Sequence, residues 1–157
     1  MCKRIDHKGF VDLGAPERTW AIPALHGNVE QLITLHDQIL EEFKVGDKLI
    51  YLGNYTGYNT SSAACIDEIL TFRRLLLSMP DMRCSDIVYL RGAQEEMWQK
   101  LLQLPFAPDP TNVLLWMLGN GLSGTLSSYG ICHHEGIEAC KAGVMSLNKW
   151  VGKKMPE

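Results

Sequence analysis

Thr19-Trp20-Ala21-Ile22-Pro23-Ala24-Leu25-His26-Gly27-Asn28 is the stretch whose reading decides the fold. Thr19 to Ile22 reads as a short buried strand closed by Pro23, with His26-Gly27-Asn28 as the turn behind it. Asn28 is a good helix N-cap, because a short side-chain oxygen satisfies an otherwise unpaired amide of the first turn. From Val29 to Phe43, Leu32, Leu35, Ile39, Leu40 and Phe43 return at three- and four-residue steps, which predicts an amphipathic helix.

The same unit recurs twice downstream. Val45-Gly46-Asp47 makes a turn into a strand over Lys48 to Leu52; Gly53 to Ser62 is a loop rich in Gly, Asn, Thr and Ser; Ala63 to Ser78 is helical. Asp86 to Leu90 is a third strand, Arg91-Gly92 a turn, and Glu95 to Leu104 a helix. Strand–loop–helix alternation predicts right-handed crossovers and an α/β fold: a mainly parallel sheet of three or more strands flanked by helices. Ligands of such sheets bind outside the carboxyl ends of the strands. Chemistry is therefore expected on the loops Pro23–Asn28, Gly53–Ser62 and Arg91–Glu95.

Outward from this core, residues 1–17 read as a loose arm ended by Gly14 and Pro16, and 18–157 as one domain. Pro105 to Pro110 carries three prolines and reads as a linker. Thr111 to Met117 is expected to be helical, Gly119 to Gly124 a loop, and Gly136 to Trp150 a helix.

The bulk numbers exclude several classes. With 157 residues, a formal charge of −3 and a pI near 5.9, the chain lacks the clustered basic surface of a nucleic-acid binder. Its longest apolar runs, Leu75 to Leu77 and Val113 to Leu118, are too short to span a bilayer. The N-terminus, with Lys3, Arg4, Asp6 and Asp12, is not a signal peptide. Five irregularly spaced cysteines (Cys2, Cys65, Cys84, Cys132 and Cys140) point to a reducing compartment, hence to a cytoplasmic protein without a disulfide framework. Cys132-His133-His134 invites a zinc site, but no second ligand pair completes it.

The three edge loops resemble those of calcineurin-like metallophosphoesterases, in the branch of bacterial PPP-type protein phosphatases and symmetrical diadenosine-tetraphosphate hydrolases. That branch carries GDxHG, GDxxDRG and GNHE after its first three strands. Here the corresponding stretches read PALHG (Pro23 to Gly27), GNYTGYN (Gly53 to Asn59) and GAQE (Gly92 to Glu95). WMLGNGLSGTLSSYG, ending at Gly130, is similar to the same branch's glycine-rich loop and Ser-Tyr-Gly. The likeness spans about residues 18–130 and implies half of an αββα sandwich. Full-length relatives continue into a second sheet with further histidine ligands. Beyond residue 130 only His133 and His134 occur, in no such motif. The sheet face that the family buries is expected to be covered by the apolar C-terminal segments or by a second copy.

The resemblance also implies what has been lost. Family mechanism needs two divalent ions that activate a water. One aspartate ligand falls at Ala24, the bridging aspartate at Asn54, the asparagine ligand at Ala93, and the proton-donating histidine at Gln94. The phosphate-binding arginine becomes Tyr58 and the aspartate before it Gly57; His26 alone is kept. Alanine offers no donor atom, and neutral Asn54 lacks the charge that holds two cations together. Gln94 does not titrate near neutral pH, and loss of an arginine fork removes bidentate phosphate recognition.

The expectation is a non-catalytic binding or regulatory module with no cofactor, engaging a protein partner or a second copy of itself. The alternative is an active phosphoesterase of protein-phosphatase or nucleotide-polyphosphatase type, with an atypical site for Mn, Fe or Zn built on His26 and, weakly, Asn54. A phosphate or nucleotide held by backbone amides at Gly27 and Asn28 is a third reading. Locally, His26 reads either as a surviving ligand or as a turn histidine bonded to a nearby carbonyl. Tyr55 and Tyr58 read as fillers of the emptied cavity, Glu95 as the family's structural glutamate, and Trp116 and Trp150 as core residues.

Overall fold

A computed structural model describes residues 12–154. Three strands, β1 (Thr19–Ile22), β2 (Lys48–Tyr51) and β3 (Ile87–Tyr89), form one parallel sheet in the order β1-β2-β3. Register is continuous: Ile22 lies beside Tyr51 and Tyr51 beside Tyr89. The crossover helices are α1 (Val29–Glu42) and α2 (Ser62–Leu77). Both right-handed crossovers step in the same direction along the sheet, so both helices land on one face and pack together there. The expected α/β fold with a three-stranded parallel sheet and flanking helices is the fold observed.

Strand alternation sends Ile22, Leu49, Tyr51 and Ile87 toward the helices, where they bury with Leu32, Ile39, Cys65, Ile69, Phe72 and Leu76. Asp47 anchors the amino end of this layer. Its buried carboxylate accepts from the Arg18 guanidinium at 2.8 Å, Trp20 Nε1 at 3.0 Å and the Lys44 amide at 3.0 Å. Beside it, Lys48 is ion-paired with Asp86, which also accepts the Arg83 amide.

After β3 come α3 (Ala93–Leu101) and α4 (Pro110–Met117), then a wide helical turn over Leu118–Leu122. They are followed by α5 (Ser123–Ser128), α6 (His133–Ala142) and α7 (Val144–Lys154). A second apolar cluster holds them together, built on Met97, Leu101, Leu104, Leu114, Met117, Leu126, Leu147 and Trp150. It meets the first layer where α5 packs on α2. Gly124 permits this contact, since a Cβ there would lie 2.4 Å from the carbonyl oxygens of Gly57 and Tyr58.

Four expectations are corrected. Of the two covers expected for the sheet face away from α1 and α2, the C-terminal segments leave Ala21, Leu52 and Leu90 exposed while Val88 is buried; these segments pack on one another and reach α2 through α5. Residues 119–124 are a tight kink rather than a full loop: Asn120 and Gly121 (φ 106°) leave the helical conformation, and α5 resumes at Ser123. The helix expected over 136–150 is two helices, parted at Gly143 with φ 99°. Trp116 is 61% exposed rather than core, whereas Trp150 is buried against Gly136. Of the loose arm, residues 1–11 lie outside the described residues, and 12–17 form no helix or strand. No helix among the described residues is long and apolar enough to cross a membrane.

Candidate functional site

The three loops at the carboxyl ends of the strands do converge, and their backbones carry the convergence. Asn54 sits at φ 56°, a left-handed conformation that Asn tolerates better than most residues. Its carbonyl accepts the amides of Leu25 (3.0 Å) and His26 (2.8 Å), tying the first loop to the second. Gly53 and Gly92 then come so close that a Cβ on Gly53 would meet the Gly92 nitrogen at 2.4 Å. Glycine is required at both places by sterics alone, whether or not a metal is bound.

The glutamate of the third loop completes the weld. Glu95 accepts the amides of Gly92 (2.9 Å), Asn54 (2.8 Å) and Tyr55 (2.9 Å), so one carboxylate stitches two loops and caps α3. Asn54 Oδ1 accepts the Gln94 amide at 3.0 Å, a second cap delivered from the neighbouring loop. The Gln94 side chain is buried and donates through Nε2 to the Asn120 carbonyl at 2.8 Å, packed against Gly121. Positions 54 and 94 are thus brought together, with Asn54 Oδ1 and Gln94 Nε2 each engaged in an internal hydrogen bond.

His26 is different. It sits at φ 49°, with its main chain bonded to Asn54 and to both nitrogens of Asn59. The ring makes no hydrogen bond to a carbonyl, contrary to the local reading from sequence. Its Nδ1 is buried without a partner, facing Gly57, where a Cβ would approach to 3.1 Å. The exposed Tyr58 meets the ring edge-on, with centroids 5.4 Å apart.

The remaining predicted residues divide by burial. Ala24 and Ala93 are exposed methyl groups at the rim. Tyr55 is buried, donates its hydroxyl to the Leu90 carbonyl, and has its phenol pushed well above its ordinary value by burial. Tyr58 instead points to solvent and fills nothing. The Gly27 amide donates to Tyr55 O (2.9 Å) and the Asn28 amide to Leu25 O (3.0 Å), while Asn28 Oδ1 caps α1 at the Gln31 amide. Neither amide proposed for anion binding is free.

No family model, curated protein or solved structure matches the chain. The chemistry open to this edge is set by its own donor set. For a two-metal centre that set does not fit. His26 offers an imidazole and Asn54 a carbonyl oxygen already engaged by Gln94; Ala24 and Ala93 offer nothing. Among the described residues no group of three or more His, Cys, Asp or Glu is placed to hold a metal ion. The Cys132 Sγ and His134 Nδ1 lie 4.0 Å apart on the surface without a further ligand.

Two features escaped the reading of the sequence. A cavity of about 740 Å³ lies at the opposite, amino end of the sheet, lined in part by Asp12, Lys48, Arg83 and Asp86. Its charged groups Lys48 and Asp86 are already paired with each other. The second is a trio drawn from α1, α2 and β2, in which buried His36 and Tyr51 meet the partly exposed Glu68. His36 falls between Leu32 and Ile39 on the apolar stripe of α1, and a histidine at such a position was the available signal.

Proposed function

We propose that this chain is a degenerate metallophosphoesterase-like module that has given up hydrolysis and serves as a protein-binding or regulatory scaffold, through a partner protein or a second copy of itself. The observation that carries the reading is the buried Gln94 side chain, which donates to the Asn120 carbonyl while its backbone amide is held by Asn54 Oδ1. Two positions that the resemblance assigns to metal bridging and proton donation here close upon each other as structure. Exposed Ala24, Ala93 and Tyr58 give the rim a neutral, partly apolar character, and Leu52 and Leu90 continue it onto the free sheet face. A reducing, cytoplasmic setting accords with Cys65, Cys84, Cys132 and Cys140, which are all free thiols.

A second reading, a phosphoesterase with a single atypical metal, is favoured by one observation: the unpartnered Nδ1 of His26. A phosphate or nucleotide ligand at the α1 start has less support, because Gly27 and Asn28 have spent their amides. The deciding experiment is turnover of a generic phosphomonoester with added manganese, alongside metal analysis of the purified protein. The scaffold reading expects no turnover and no stoichiometric metal. Activity that disappears in His26→Ala would overturn it in favour of the single-metal enzyme.

A further inference from the structure

His36 is 2% exposed and lies face to face with Phe72, with ring centroids 3.8 Å apart. Its Nδ1 is 2.6 Å from Glu68 Oε1 and its Nε2 is 2.9 Å from the Tyr51 hydroxyl. An ionised carboxylate only accepts, so Nδ1 carries the hydrogen of the neutral ring. Nε2 is then the acceptor, and the fully buried Tyr51 hydroxyl donates to it. This arrangement clasps α1, α2 and β2 at one point, beneath the loop that follows Tyr51.

We propose that His36 is a proton-operated latch: neutral, it holds the Tyr51 hydroxyl and the carboxyl-edge loop 53–62 in place, and on taking a second proton it releases them. The charged ring donates from both nitrogens. Tyr51 then has to accept at its oxygen, and its own hydroxyl hydrogen loses the acceptor it had in the buried site. The disturbance reaches the loop by a short path. Tyr51 meets the Tyr55 ring at 6.2 Å between centroids, and the Tyr55 hydroxyl and amide are tied to Leu90 and Glu95.

The charged groups facing the ring are few. They are Glu68 from α2 and Asp37 on α1 itself; Tyr51 faces it from β2, backed by Tyr89 of β3. Burial lowers the proton affinity of His36 from its ordinary value near 6.5, against the opposing pull of Glu68 and Asp37. Its folded value therefore lies below its unfolded value. The clasp is at full strength above about pH 6.5 and weakens as pH falls through the folded value.

The test is amide hydrogen exchange, expressed as protection factors for residues 53–62, with the His36 ring titrated by NMR on the same samples. Protection in this loop falls about tenfold or more as pH is lowered from 7.5 through the His36 titration, with the same midpoint. His36→Gln, which keeps a donor and an acceptor but does not titrate, removes the fall. Glu68→Gln keeps the imidazole, and moves both midpoints together to lower pH. Protection unchanged across the His36 titration, or a midpoint indifferent to Glu68→Gln, overturns the latch. Should His36→Gln fail to fold, the Glu68→Gln arm decides alone. Neither readout depends on what the carboxyl edge binds.

Discussion

Asn54 Oδ1 accepts the backbone amide of Gln94 at 3.0 Å, across the seam between the second and third edge loops. The contact is reciprocal in purpose: Glu95 in turn accepts the Asn54 and Tyr55 amides. An aspartate at position 54 would accept the same amide. Asparagine keeps the cap without adding a second negative charge beside the Glu95 carboxylate.

Asn54→Ala exposes two separate costs. The Gln94 amide loses its acceptor, worth about 1 kcal/mol, and the left-handed backbone at φ 56° becomes strained for alanine by about another 1 kcal/mol. Asn54→Gly loses only the first. Denaturant midpoints of the two variants at equal slope separate cap from strain, with the alanine variant the less stable.

Gly124→Ala drives a methyl group into the carbonyls of Gly57 and Tyr58, both backbone atoms that cannot rotate away. The expected loss is about 1–3 kcal/mol. It should be accompanied by weaker packing of α5 on α2, visible as reduced exchange protection near Ser128, whose hydroxyl accepts the Ala63 amide. Gly130→Ala, with open space at its Cβ but φ 68°, tests backbone strain without the clash.

Acid should act on the amino end of the sheet in a window separate from the histidine. Burial raises the affinity of Asp47 for a proton, but hydrogen bonds from Arg18, Trp20 and the Lys44 amide outweigh it, so its folded value is below the ordinary 3.8. Asp86 behaves alike, held down by Lys48 and the Arg83 amide against burial. Both contributions are complete above pH 3.8 and disappear as pH falls through the depressed folded values. Unfolding free energy measured from pH 5 to pH 2 should fall steeply in the wild type, and less so in Asp47→Asn.

Two tryptophans should report opposite environments. Trp116 is 61% exposed and Trp150 7%, so acrylamide quenches the first readily and the second poorly. Trp116→Ser should change stability by less than about 0.5 kcal/mol. Trp150→Ala should cost about 3–5 kcal/mol by leaving a cavity beside Gly136. Equal quenching of both would show that α4 and α7 are packed differently.

Element type and order were legible in the sequence because they are local properties. Apolar spacing, the Asn28 cap and the glycine-rich turns specify each strand–helix unit, and crossover handedness then dictates a parallel sheet with α1 and α2 on one face. The chain also declared from sequence which donor atoms positions 24, 54, 93 and 94 could offer. Whether those groups are free is a different matter. Tertiary structure alone spends the amides of Gly27 and Gln94, buries His26 Nδ1 without a partner, and sends Trp116 outward and Trp150 inward. It alone joins His36 to Glu68 and Tyr51, residues far apart in the chain. Hydrogen bonds are short-ranged and directional, so their pairing exists only once distant loops have been brought within about 3 Å of one another.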